Sequence, residues 1–127
     1  MSHPRRPAGA MLAVLVASAL AGCATATPGA PPPPPASCGE YTLDQGEGIP
    51  QEAVDCMSAA GGKLIVTTPT VEGDPIVTTY MGLAGGGYEV TTDMTQDRYG
   101  GGTSMMLCPD AVSVVDLGEC EEEHEGD

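Results

Sequence analysis

Phenylalanine and tryptophan are absent from this chain, and tyrosine occurs only four times in 127 residues. Any core must therefore be built from Val, Ile, Leu, Met and a few Tyr. A small domain with so few large side chains sits near the threshold of independent stability and needs covalent help. Basic residues are nearly as scarce: four Lys and Arg stand against 18 Asp and Glu. Nucleic-acid recognition requires a basic footprint, which this balance excludes. Histidine is limited to His3 and His124. A Ser or Cys nucleophile needs a positioned base, and His124 sits in a run of acids near the C-terminus. Long apolar runs are also missing. The best one, residues 10–20, is too short for a permanent membrane helix.

That short run has a meaning of its own. Arg5 and Arg6 precede it, and Leu20-Ala21-Gly22-Cys23 closes it. Basic, apolar and small-residue regions in this order form a secretory signal. The closing tetrapeptide resembles the bacterial lipobox. The resemblance implies diacylglyceryl transfer to the Cys23 thiol and cleavage between Gly22 and Cys23. Each buried acyl methylene contributes about 0.8 kcal/mol, so two or more chains hold a protein on a bilayer without spanning it. The expected address is the extracytoplasmic face of the cell membrane, and the expected membrane partner is the lipid's own bilayer. After Cys23 only Lys63 and Arg98 face all 18 carboxylates, a net charge of −16. That charge works against anionic headgroups and leaves membrane affinity to the acyl chains.

Residues 1–22 are thus read as signal peptide and 23–37 as the lipidated Cys and a Pro-rich linker. The linker holds five consecutive prolines, Pro31 to Pro35. Such a run favours polyproline II and acts as a semi-rigid spacer of about 3.1 Å per residue. The folded unit is expected at 38–120. Residues 121–127, EEEHEGD, read as an acidic disordered tail.

Within the unit, Pro50 followed by QEAVDCMSAA predicts a helix of about three turns. Pro50 suits a first helical position, and Gln51 and Glu52 suit the positive end of the dipole. Gly61 and Gly62 stop it. Ala53, Val54, Met57 and Ala60 share a face. Strand signals follow at residues 64–71, 76–81, 88–92 and 103–108, with a weaker one at 112–117. Residues 72–75, Glu-Gly-Asp-Pro, form a turn. Pro69 inside the first run points to an edge strand or a bulge. The expected fold is α+β: one short helix on an antiparallel meander of three to five strands, stapled by disulfides.

Cys38, Cys56, Cys108 and Cys120 remain after the lipobox. Four cysteines in an exported chain read as two disulfides, and three connectivities exist. Short loops close most easily, which favours Cys38–Cys56 with Cys108–Cys120. The rival joins Cys56 to Cys108 and Cys38 to Cys120. Zinc would call for close pairs such as C-x2-C, and the chain has none.

Function concentrates on loops held by a scaffold, which directs attention to residues 92–100, TDMTQDRYG. Asp93 and Asp97, with nearby Thr hydroxyls, are weak calcium candidates. The spacing is not that of an EF-hand, and the oxygens fall short of the six to eight that calcium takes. The plainer expectation is that both carboxylates cap turns by accepting backbone amides. Arg98 is expected to pair with Asp74 or Glu72. With Tyr99 these residues make up the candidate functional loop. No catalytic residue, cofactor or resident metal is expected.

Residues 70–76, TVEGDPI, followed by Asp93-Met94-Thr95-Gln96-Asp97-Arg98-Tyr99-Gly100 and Cys108, resemble a family of small Gram-positive, actinobacterial-type lipoproteins. Its pattern is T-x-E-G-D-P-I, then D-x-[ST]-x-D-x-[YF]-G, then a Cys. The resemblance covers about residues 38–108 and implies a lipoprotein carrying a domain of unknown function, with no activity or site attached. Cys120 and the acidic tail fall outside it. A weaker likeness joins Met106-Leu107-Cys108-Pro109 to the Met-Cys-Pro reactive loop of small two-disulfide inhibitors of subtilisin-like proteases. The expected function is a non-catalytic accessory or binding module tethered to the cell envelope. A surface-presented protease inhibitor and a calcium-dependent module are the alternatives.

Overall fold

The computed structural model describes residues 29–123. Residues 1–28, which include the expected signal segment 1–22, Cys23 and the first residues of the expected linker, and residues 124–127 lie outside the described residues. The fold below is that of the compact unit that begins at Pro33.

Its elements are β1 (Ser37–Thr42), α1 (Gln51–Ala60), β2 (Lys63–Pro69), β3 (Pro75–Gly82), β4 (Tyr88–Asp93), β5 (Thr103–Cys108) and β6 (Glu121–Glu123). The six strands form one sheet in the order β1-β2-β3-β4-β5-β6. All neighbours are antiparallel except β1 and β2, which run parallel. The fold is therefore α+β with a mixed sheet, not an all-antiparallel meander of up to five strands. The parallel pair follows from the connection. Parallel neighbours need a crossover, and α1 supplies it between β1 and β2.

α1 begins one residue later than the sequence implies. Pro50 is the N-cap, with φ −57° and ψ 140°, and its carbonyl accepts from the amides of Ala53 and Val54 at 3.0 and 3.2 Å. Gly61 ends the helix in the left-handed region at φ 55°, and its N–H donates to the Met57 carbonyl. Gly62 is required for a different reason. A Cβ there would run into the Ala36 carbonyl and reach to 3.3 Å from Cys38 Sγ. This close passage is where the Lys63 amide donates to Ala36 O at 2.7 Å and β2 starts beside β1.

Cross-strand partners share a sheet face, so the register defines the core. Leu64, Tyr80, Val90 and Met106 lie in one row across β2 to β5. Leu64, Val66, Tyr88, Val90 and Cys108 are buried on that face, against Ala53, Val54 and Met57 of α1. Met57, Leu64 and Cys108 are the largest fully buried side chains. Each aliphatic side chain so buried contributes about 1.5–3 kcal/mol. Val114 joins the same cluster, with Ala111 and Leu117 packed on it. The stretch 112–117 is thus not a fifth meander strand. It is a loop with one bridge, Ser113 to Asp116, that drops Val114 into the core.

Two disulfides close the unit, Cys38–Cys56 and Cys108–Cys120. The first ties β1 to α1. The second brings the chain back to the end of β5, and β6 follows at once. Glu121–Glu123 pair with Leu107, Met106 and Met105, so three residues assigned to the tail by composition are ladder residues. Pro69 is not at an edge strand, because β2 has neighbours on both sides. It is tolerated because β1 reaches only to the Thr42–Thr67 pair, leaving Pro69 with a single partner, Pro75.

Candidate functional site

The β2–β3 turn and the β4–β5 loop emerge at the same end of the sheet. In the turn, the Asp74 amide donates to Thr70 Oγ1 at 3.1 Å, and the Thr70 amide donates to Asp74 O at 2.8 Å. These bonds fix Asp74 as β3 begins. Its carboxylate is the anchor for the loop beyond. Arg98 Nε donates to Asp74 Oδ2 at 2.8 Å and Nη2 to Oδ1 at 3.0 Å, a bidentate clamp. The Arg98 amide adds a longer bond to Oδ2 at 3.3 Å. Two parallel charge-assisted bonds give orientation as well as attraction. The Arg98 guanidinium and amide hold the Asp74 carboxyl below its ordinary value. Arg98 thus takes the nearer of its two expected partners in sequence position to β3, while Glu72 stays exposed in the turn.

The rest of the loop is held from within. Asp93 Oδ1 accepts the Thr95 amide at 2.9 Å and the Thr95 hydroxyl at 2.6 Å. These two bonds lower the Asp93 pKa. Asp97 Oδ1 accepts the Tyr99 amide at 2.9 Å. The Met94 amide closes the loop base on Gly102 O at 2.9 Å. Both aspartates therefore act as turn caps, as their residue types favour. Asp93, Asp97 and Asp74 each spend carboxylate oxygen on internal donors. Among the described residues no group of three or more Asp, Glu, His or Cys is placed to hold a metal ion.

Beside the exposed polar residues Glu72, Thr95, Gln96 and Arg98, the two loops present one large apolar and one aromatic side chain outward. Tyr99 is 76% exposed and Val71 81% exposed. Tyr99 follows the clamped Arg98 directly, and Val71 stands at the tip of the turn that carries Asp74. Sequence reasoning placed Val71 at the end of a strand and so missed it. The signal was present in Pro69, where β2 ends two residues before the β-branched pattern stops.

Met106, Leu107 and Cys108, which carry the likeness to protease inhibitors, are ladder residues of β5: all three pair with β4, and Met106 and Leu107 pair with β6 as well. Cys108 is fully buried. They do not form a protruding loop. No pocket opens among the described residues. No protein-family model, no curated protein and no solved structure matches the chain.

Proposed function

We propose that the protein is a non-catalytic binding module, tethered by lipid on Cys23 to the extracytoplasmic face of the membrane. The observation that carries the binding reading is the clamp of Arg98 on Asp74, which fixes two loops while Tyr99 and Val71 stay exposed beside it. Tyr and Arg are the side chains most enriched where interfaces concentrate their energy. An exposed aromatic on a loop already ordered by its own hydrogen bonds loses little entropy when it binds. The tether rests on Arg5, Arg6, the apolar run and Leu20-Ala21-Gly22-Cys23. Pro31 to Pro35, all exposed, would set the module off the bilayer as a spacer.

Metabolic labelling with a fatty acid tests the tether. The native chain is expected to take up label and fractionate with membranes, and Cys23→Ala is expected to do neither. Equal labelling of both would remove the lipoprotein reading. In the same cells, photo-crosslinking from position 99 tests the binding surface. A discrete adduct that disappears in Asp74→Ala supports it, and absence of any adduct at the native level of expression counts against it.

A further inference from the structure

The core described above occupies one face of the sheet. Side chains alternate between faces along each strand, so the same register defines the other. One row there runs Ile65, Thr79, Thr91, Met105 and Glu123. The next runs Lys63, Met81, Glu89, Leu107 and Glu121. Ile65, Met81, Met105 and Leu107 are half-buried in the plane of the sheet, yet none joins the core cluster. Among the described residues the one helix packs against β1 and β2 on the opposite, core side. The second face is an apolar and threonine strip that no layer covers among the described residues. Across β2 to β5 it is roughly 14 Å wide at the usual strand spacing, enough to seat one helix.

Charge decides what fits. Glu89, Glu121 and Glu123 stand in the two rows, and Glu40 pairs beside Ile65 at the β1 edge. Lys63 is the single base among them. The chain's other base beyond residue 23, Arg98, is already engaged by Asp74. A second copy would bring the same excess of carboxylates to the contact, and an anionic lipid surface would be repelled likewise. A helix with an apolar stripe flanked by Lys or Arg would meet both features. Sheets bury an apolar face by taking on a helical layer, as α1 does on the core side. Methionines at the centre would adapt to varied side chains.

We infer that the open face of the sheet, centred on Ile65, Met81, Met105 and Leu107, docks a cationic amphipathic helix of a partner protein or peptide. This surface is separate from the Tyr99 loop and stands or falls independently of it.

Methionine chemistry gives a local readout, because peroxide converts accessible Met to the sulfoxide. Met81 and Met105 report the open face, Met94 the β4–β5 loop, and Met106 the core side. The probe is a synthetic amphipathic helix of Lys and Leu, mixed with the full-length chain. Its controls are the Glu/Leu isomer and a lysine homopolymer. The expected result is slower oxidation of Met81 and Met105 with the Lys/Leu helix alone, and an unchanged rate at Met94. Replacing Ile65 and Leu107 together by Thr, which keeps β propensity, should weaken binding by roughly tenfold or more while circular dichroism stays native. Three results would overturn the inference. One is equal protection by the lysine homopolymer, which would mean charge alone. Another is protection of Met94 in place of Met81 and Met105, which would place the helix on the loops. The third is protection of Met81 and Met105 by self-association before any peptide is added, which would assign the face to a second copy.

Discussion

Asp74 is the residue on which the loop end depends, because a single carboxylate accepts three donors from Arg98. Its side chain is 15% exposed and that of Arg98 60% exposed, so water and salt screen the pair substantially. The worth of the contact therefore lies more in orientation of the loop than in stability. Its pH dependence has a definite sign. The folded-state pKa of Asp74 is lowered from 3.8 by the Arg98 hydrogen bonds. A group with a depressed folded pKa contributes stability that is present above its unfolded value and is lost as pH falls through the folded one. Asp74→Asn should accordingly lower the Tm by a constant amount near neutrality. The gap between variant and native protein should close as pH drops below 3.8. Thermal melts of both proteins between neutral pH and strong acid measure it. A gap that widens in acid would show that Asp74 acts otherwise than as the ionised partner of Arg98.

At the level of elements, the two disulfides have different tasks. Cys38–Cys56 joins a strand to its crossover helix, whereas Cys108–Cys120 closes a loop and delivers β6 to the sheet edge. β6 consists of three exposed glutamates, which have low β propensity and repel one another. Its pairing must owe much to Cys120 immediately before it. Replacing Cys108 and Cys120 together by Ala should cost about 2–4 kcal/mol. It should also abolish hydrogen-exchange protection along the β5–β6 ladder while the β2–β3–β4 ladders keep theirs. Retained protection at residues 121–123 would show that the strand holds without the staple. The same comparison shows what could be read from sequence. β2 to β5 were legible, because β-branched runs alternate with Gly- and Pro-marked turns. α1 was legible from its apolar spacing and its glycine stop. β1 was not: SCGEYT carries no alternation, and its parallel pairing with β2 is a long-range contact that no local pattern encodes. β6 was hidden by its composition. Residues 112–117 misled in the other direction, since three valines read as a strand although only Val114 is buried. In the loop, the capping roles of Asp93 and Asp97 followed from residue type, and the partner of Arg98 was narrowed to two residues in one turn. The choice of Asp74 needed the turn geometry that Thr70 fixes. The open face escaped notice because Met and Thr at alternate positions look the same whether or not a second layer covers them.

For the whole molecule, charge of one sign is the dominant feature. The folded unit buries a modest core of aliphatic side chains, one tyrosine and two disulfide cysteines. Among the described residues no polar or charged residue is buried. Self-repulsion of like charges destabilises a compact state, and the compact state here has only Lys63 and Arg98 to offset it. Two effects of salt then compete. Screening relieves repulsion among the carboxylates and stabilises the fold; it also weakens the Arg98–Asp74 attraction and does the reverse. Repulsion involves many pairs and attraction one, so screening should win. The Tm should rise with NaCl and most of the rise should come by about 0.15 M, where the Debye length has fallen to about 8 Å. β6 concentrates the effect, since Glu121, Glu122 and Glu123 are adjacent and sit on the edge of the sheet. Changing all three to Gln should raise the Tm at low salt and flatten its dependence on NaCl. Melting curves of the native chain and the triple variant over a salt series decide the matter. A Tm that falls with NaCl, or a variant that keeps the native salt slope, would mean that the acidic surface is not what limits stability and that the small core alone does.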